Sequence, residues 1–425
     1  MLNCLRSAFH DLPSSHHLIS NMSKEQTVYI GGVGVISAIG NNVAENLDAL
    51  VSGRAGMQAM QRLQSVHKDT LPVAEVSLSN EALAARAGLP DTISRTALLS
   101  AVAAKEAIAD ADIEYSKWRT GFISANSVGG MDKTEDFFPG FLEDAGSGDL
   151  KMVVNHECGA VTEVVADALG INDFVTTIST ACSSSANSIF LGARMIRQGL
   201  LDVVIAGGTD ALTRFTLNGF NTLMILDQEY CQPFDENRRG LNLGEGAGYV
   251  VLMSEAVAAT LHKKPFCALS GWCNANDAYH QTASSPTGTG SLLAMKGALK
   301  KSGLSPAAIS YINLHGTGTQ NNDIAEGTAI ATLFEGNYPP MSSTKSFTGH
   351  TLGASGAIEA VYAVLAIREG LVFPSLRLQT PMKDLPFSVT TVLEKKKIDH
   401  VLSNSFGFGG NCSSLVFSRT AFNHL

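Results

Sequence analysis

The chain has 425 residues, enough for two or three domains or one large two-part core. Its 30 Lys and Arg stand against 39 Asp and Glu, a formal charge of −9, so it lacks the basic surface that sequence-independent nucleic-acid binding needs. Only 16% of residues are charged and 45% are hydrophobic, which excludes a disordered chain and supplies an extensive core.

Residues 1–26 read as a flexible extension without the unbroken apolar core of a secretory signal, and Met22 offers a second start. Residues 28–35, apolar and β-branched between glycines, predict a buried strand. Helical periodicity follows over 94–110, then a strand over 121–125. A helix over 162–169 is ended by Gly170, and a strand over 174–179 follows. A helix over 186–198 is stopped by Gly199, ahead of a buried strand over 202–206. The alternation then continues. Strands are expected over 249–253, 266–271, 309–314, 401–405 and 414–417, and helices over 291–301, 322–333 and 357–368. Such alternation predicts α/β layers with mostly buried sheets, in two similar halves joined near 230–265. The longest apolar runs, such as 361–367, are far short of the roughly 20 residues of a membrane span. Seven cysteines, an odd number with no Cys-x-x-Cys pair, argue against a disulfide framework and for a reducing cytoplasm.

Cys182 lies in STACSSS, residues 179–185, between a predicted strand and a predicted helix. That places the sulfur at a helix N-terminus, where free amides and the macrodipole favour a thiolate. The turn also projects the side chain as a nucleophile elbow does, although a small buried structural cysteine fits this feature equally well. Two histidines shift the balance. His315 opens HGTGT directly after a strand, and His350 lies in STKSFTGHTLGASGA, residues 343–357. Both enter Gly/Thr loops and converge with Cys182 on one site. Neither has a partner at helical ligand spacing, so no metal is expected. Lys345 precedes His350 by five residues and Glu359 follows it by nine. The apolar flanks of Glu359 point to a buried carboxylate paired with Lys345 rather than to an exposed helix residue. In SFGFGGN, residues 405–411, glycines let amides turn toward a ligand and Phe408 can cover a pocket; the plainer alternative is a turn packed with two core aromatics. GEGAG, residues 244–248, is not a nucleotide fingerprint, and no cofactor is expected.

TACSSS, HGTGT, STKSFTGH with LGASGAIEA, and SFGFGG, in this order, resemble the β-ketoacyl-acyl-carrier-protein synthases of the thiolase superfamily over about residues 27–418. The resemblance implies a thiolase-like five-layered α-β-α-β-α fold of two related halves with mixed sheets. Residues 27–264 would carry the cysteine and 265–425 the two histidines. It further implies a homodimer or heterodimer that acts on acyl carrier protein without a cofactor. An acyl chain would be loaded on Cys182, and malonyl carrier protein would lose CO2 and attack the thioester. Carried over by motif, His315 and His350 donate to the malonyl thioester oxygen and Lys345 with Glu359 forms a supporting ion pair. The backbone amides of Cys182 and Phe408 form the oxyanion hole, Phe408 is also the gate, and Val128 and Phe220 wall the acyl pocket.

The chain also departs from the family pattern. Asn411 and Cys412 replace Thr and Asn. Arg238-Arg239-Gly240-Leu241 replaces Arg-Asp-Gly-Phe, and the loop over 227–233 is short. Met224 stands where a basic residue often meets the carrier. These changes spare the catalytic set and point away from the ordinary fatty-acid role toward a specialised polyene or polyketide lipid. Three other readings compete. A thiolase using coenzyme A would have a second cysteine in place of the HGTGT and GH pattern. A non-catalytic partner subunit would lack Cys182. A cysteine hydrolase would use Cys182 and one histidine.

Overall fold

The computed structural model describes residues 26–420, so the expected extension lies outside the described residues except for Gln26. The first half runs β1 (Tyr29–Ser37), α1 (Val43–Ser52), α2 (Asn80–Ala87), α3 (Arg95–Ala111), β2 (Thr120–Ala125) and α4 (Met131–Glu143). It continues through α5 (Cys158–Leu169), β3 (Phe174–Ile178), α6 (Ser184–Arg197), β4 (Val203–Asp210), α7 (Arg214–Thr222) and β5 (Gly246–Met253). The second half runs β6 (Cys267–Asn276), α8 (Thr289–Ser302), β7 (Tyr311–Asn313), α9 (Gln320–Phe334), β8 (Met341–Ser342) and α10 (Ser355–Glu369). A small pair, β9 (Leu371–Val372) and β10 (Glu394–Lys395), precedes β11 (His400–Phe406) and β12 (Asn411–Ser418).

The main strands lie in the order β3-β2-β4-β5-β1-β6-β12-β11-β7-β8. In the first five, β2 is parallel to β3 and β4, while β5 is antiparallel to β4 and β1. In the second five, β7 is parallel to β8 and β11, while β12 is antiparallel to β11 and β6. The pairings repeat, and the two mixed sheets meet where Tyr29 and Ile30 face Ala268 and Cys267. Weak sequence similarity between the halves therefore hides a strict topological repeat.

Helices complete five layers. α3 packs outside β1 and β5, and α8 outside β6 and β12. Between the sheets lie α6 and α10, in contact with each other; α6 touches β4 and β12, and α10 touches β5 and β11. α10 is buried at every residue from Ser355 to Ile367. Its sequence, apolar on all sides, suits only a helix enclosed on all sides.

Glycine sets the spacing of the outer layer. A Cβ on Gly34 of β1 would lie 2.1 Å from the Ala103 carbonyl oxygen, and one on Gly32 would lie 2.3 Å from that of Ala107. The alanine-rich face of α3 rests directly on the β1 backbone. Sequence periodicity missed α1, α2, α4 and α7. In α4 an internal Pro139 breaks the pattern, and α7 is rich in Thr, Asn and Gly, which favour helix weakly. Among the described residues no helix is long and apolar enough to cross a membrane.

Because backbone meets backbone at Gly34, a Gly34→Ala substitution has no flexible side chain to displace. It should cost about 3 kcal/mol, the upper part of the usual range for overpacking. Urea denaturation of the purified variant measures this; an unchanged midpoint would refute the close approach.

Candidate active site

The two central helices begin beside each other. Gly356 lies so close to α6 that its Cβ would be 2.9 Å from the Ala186 amide nitrogen, and the Ala357 amide donates to Ser185 Oγ at 2.9 Å. Cys182 lies two residues before α6 and His350 five before α10, so their convergence follows from this crossing. His315 arrives from the end of β7, between the two sheets' inner helices and α9. Cys182, His315 and His350 all line one cavity of about 410 Å³, together with Phe220, Phe406 and Phe408.

Ala181, just before the cysteine, has a φ of +53°, the left-handed backbone of a tight, strained turn. Gly407 presses on that turn: its Cβ would lie 3.0 Å from the Thr180 oxygen and 3.2 Å from the Cys182 nitrogen. The loop over 405–411 is thereby laid against the cysteine, and the amides of Phe408 and of Cys182 itself both reach the sulfur. The expected thiolate at a helix terminus is corrected here. α6 starts at Ser184 behind the cap Ser183, so Cys182 does stand at the helix N-terminus, but burial pushes its thiol up to about 11, against the opposing pull of the Lys345 charge and the two amides. Burial thus favours the thiol over the thiolate.

The histidines stand with ring centres 5.5 Å apart and planes at 86°. Lys345 Nζ lies 2.5 Å from Glu359 Oε1 and 3.3 Å from His315 Nδ1, all three groups being buried. The ammonium donates to Nδ1, so the His315 proton sits on Nε2. At His350, the Leu352 amide donates to Nδ1 at 3.0 Å, which again leaves the proton on Nε2. Both imidazoles are held well below their ordinary pKa, chiefly by burial and then by the charge of Lys345. The pair therefore offers two neutral Nε2–H donors. Glu359 is the buried partner of Lys345 that its apolar flanks foretold, and burial pushes its carboxyl up to about 7.

Phe220 stacks on Phe408, with centroids 5.7 Å apart and planes within 15°. Val128 does not line this cavity. It packs behind Phe220 with Met131, Leu217 and Leu352, and its amide donates to Asp210. Asn411 accepts on Oδ1 from Ser183 Oγ, Asn187 Nδ2 and Asn274 Nδ2, at 2.7, 3.0 and 2.6 Å. Cys412 lines the cavity and is buried. Among the described residues no three His, Cys, Asp or Glu side chains gather as a metal site.

Three carboxylates that place the site escaped the sequence reading. Glu326 accepts from the amides of His315 and Gly316 at 2.9 and 2.8 Å and from Asn404 Nδ2 at 3.0 Å; burial pushes it up to about 7. Asp323, one turn earlier on α9, accepts from Thr317 and Gly318. Asp210, at the end of β4, takes the amides of Ser127, Val128 and Gly353 and ties the two halves' loops together. The signal was present in α9: two acids three apart on the face that follows a Gly/Thr loop with free amides.

This architecture is that of the condensing enzymes built on the thiolase fold. Residues 25–258 match the family model described as beta-ketoacyl synthase, N-terminal domain, and residues 266–379 match its C-terminal domain. The chain belongs to the beta-ketoacyl synthase family. It is 34% identical over 422 residues to the 3-oxoacyl-[acyl-carrier-protein] synthase 2 of Coxiella burnetii, covering 93% of this chain and 99% of that protein. Its backbone matches the ishigamide ketosynthase/chain length factor structure with a TM-score of 0.88 at 28% identity, over 94% of this chain and 100% of that one. The structure of the ketosynthase ApeO in complex with its chain length factor ApeC from Xenorhabdus doucetiae matches with a TM-score of 0.81 at 33% identity, over 93% and 98% of the two chains.

Since both imidazoles are depressed, they should stay neutral as pH falls through the ordinary histidine value of about 6.5. In 15N spectra of histidine-labelled protein, the signals lost in His315→Gln and His350→Gln should keep the Nε2–H pattern from about pH 8 down to about pH 6. Titration of either near 6.5 would contradict the buried-donor geometry.

Proposed function

We propose that this chain carries out the decarboxylative Claisen condensation of an acyl group, held as a thioester on Cys182, with malonyl-acyl carrier protein. The product is a 3-oxoacyl carrier protein in fatty acid or polyketide/polyene-type synthesis. The observation that supports this best is the meeting, in one cavity, of a sulfur between two amides and a pair of Nε2–H donors.

The chemistry divides between these groups. Cys182 Sγ attacks the carbonyl carbon of the acyl thioester. The oxygen takes the bond pair and is held by the amides of Cys182 and Phe408, an oxyanion hole. The C–S bond to the carrier breaks, and the thiol proton ends on the departing carrier thiol. Burial favours the thiol, so its proton must leave as the sulfur attacks; both imidazoles already carry a proton on Nε2 and have Nδ1 occupied, so it passes to the sulfur of the departing carrier. The malonyl thioester then places its carbonyl oxygen against His315 and His350. The bond to the carboxylate breaks, CO2 leaves, and the electron pair becomes an enolate whose oxygen the two Nε2–H groups hold. The enolate carbon attacks the thioester on Cys182, the amide pair holds the new oxyanion, and Cys182 departs as a thiolate that takes a proton from water. The ammonium of Lys345 beside His315 favours the negative enolate, and Glu359 offsets its charge between turnovers.

β3 ends the sheet with one edge unpaired and all its residues partly exposed, which supports assembly as a dimer through that edge. The six described cysteines are free, which supports a cytoplasmic setting.

Mass spectrometry after incubation with acyl-loaded carrier protein should find the acyl adduct on Cys182. Malonyl carrier protein should release CO2. Cys182→Ala should abolish condensation while decarboxylation persists. His315→Ala and His350→Ala should each lower decarboxylation by about 10²–10³, the usual loss for one such donor, with self-acylation partly retained. Equal loss of both half-reactions would sink the division of labour.

The cluster behind Phe220 is the proposed end wall of the acyl pocket. Val128→Phe should suppress acylation by long primers while short primers and the melting temperature stay nearly unchanged. A uniform loss with a lowered melting temperature would make Val128 a core residue only.

A further inference from the structure

We propose that the carrier protein docks on an uncharged segment with exposed apolar side chains, centred on Met224 at one side of the cavity mouth, so that recognition there is by apolar contact rather than by ion pairing. The inference rests on the condensing function proposed above. A substrate tethered to a carrier by a flexible arm reaches Cys182 only through the cavity mouth, so the body of the carrier must sit on the residues around it.

Along the α7 end of that rim the chain is uncharged, whereas Arg239 and Asp277 line the cavity elsewhere. Residues 215–226 contain no Asp, Glu, Lys, Arg or His. Within this stretch Phe215, Leu223 and Met224 expose 66, 44 and 88% of their surface, and Leu223 and Met224 line the same cavity as Cys182. Three large apolar side chains left open to water on one short segment mark a contact surface. Met224 has a φ of +56°, a backbone that a non-glycine residue adopts at a cost, and it presents the thioether outward. Arg239, which lines the cavity, pairs with Asp227 at 2.9 Å and Glu229 at 3.7 Å, and Arg214, next to Phe215 in the chain, pairs with Glu135 at 3.2 Å. Little positive charge is left there to attract an acidic partner. The exposed apolar side chains of α4, Phe138 and Leu142, do not line the cavity, which singles out the α7 end as the carrier's seat.

The test compares hexanoyl-loaded acyl carrier protein with hexanoyl-N-acetylcysteamine as acyl donors to Cys182 in the full chain. For each, kcat/KM of acylation is measured, and the ratio of carrier to small thioester is the readout. Met224→Asp, and Phe215→Ser with Met224→Ser, should lower this ratio at least about tenfold, as loss of a central apolar anchor does, and Met224→Leu should restore it. The wild-type ratio should change less than about threefold between roughly 50 and 500 mM NaCl, since apolar contact is not screened. An unchanged ratio in the variants, or a steep fall with salt in the wild type, would overturn the proposal. So would a shift of the variants from dimer to monomer in sedimentation, which would make a second copy of the chain the occupant. Failure of both donors to acylate wild-type Cys182 would overturn the condensing function instead.

Discussion

The contact on which the site depends is the crossing of α6 and α10 at their first turns. A side chain at Gly356 would collide with the Ala186 amide, so only glycine lets the two helices start from one point. Each helix belongs to a different half, and each follows a strand: β3 through the turn of Thr180 to Ser183 in one case, β8 through the longer segment that carries Lys345 and His350 in the other. The topological repeat therefore brings two equivalent corners together, and one corner holds the sulfur while the other holds an imidazole. The third group, His315, comes from the end of β7, a strand with no side chain to spare for solvent: Tyr311, Ile312 and Asn313 are all buried. Once the layers are stacked, little of the site's geometry remains to be chosen by the side chains themselves.

Burial then decides the electrostatics. It raises the thiol, lowers both imidazoles and raises Glu326 and Glu359, so that nearly every group in the site is driven toward its neutral form. At Glu359 the charge of Lys345, its buried ion-pair partner, opposes that shift. Removing one partner of such a buried pair typically costs about 3–5 kcal/mol, because the other charge is left uncompensated. The lysine is shared: it donates to Glu359 and to His315, and so couples the charge of the pair to the tautomer of the imidazole. A neutral site with one internal cation suits chemistry in which negative charge appears and disappears on oxygen, since donors aimed at that oxygen need not reorganise.

Much of this was legible in the sequence, and the part that was not has a common cause. The strands of the two sheets and the long enclosed helix could be read from local pattern, because burial on both faces leaves an unbroken apolar run. Cys182, His315, His350, Lys345 and Phe408 could be read because each sits in a loop of small residues that has no reason to be there except to place a group. Glu359 could be read because an acid inside an apolar helix demands a partner. Asp210, Asp323 and Glu326 were missed because an acid at a strand end or on a mixed helix face looks solvated until the loop that it holds is folded over it. The Cys182 thiol was misjudged for the same reason: the helix terminus is a local feature, whereas the desolvation that outweighs it comes from burial in the folded molecule. The helices α4 and α7 were missed because their sequences are weak helix formers, held by contacts such as Glu135 with Arg214 rather than by propensity.

The departures from the family pattern sort by depth. In the interior, Asn411 takes three hydrogen bonds on one oxygen, from Ser183, from α6 and from β6, and so clasps the loop of Phe408 to the turn of Cys182. An amide side chain there substitutes for a hydroxyl without loosening the pair of amides that face the sulfur. At the rim, Arg239 turns back onto Asp227 and Met224 faces water, so the same kind of substitution changes the surface that a partner meets. An interior change has to be absorbed by neighbours within a close-packed, hydrogen-bonded shell, and it survives only if the catalytic geometry survives with it. A rim change meets no such constraint. Chemistry and recognition can therefore diverge independently on this fold.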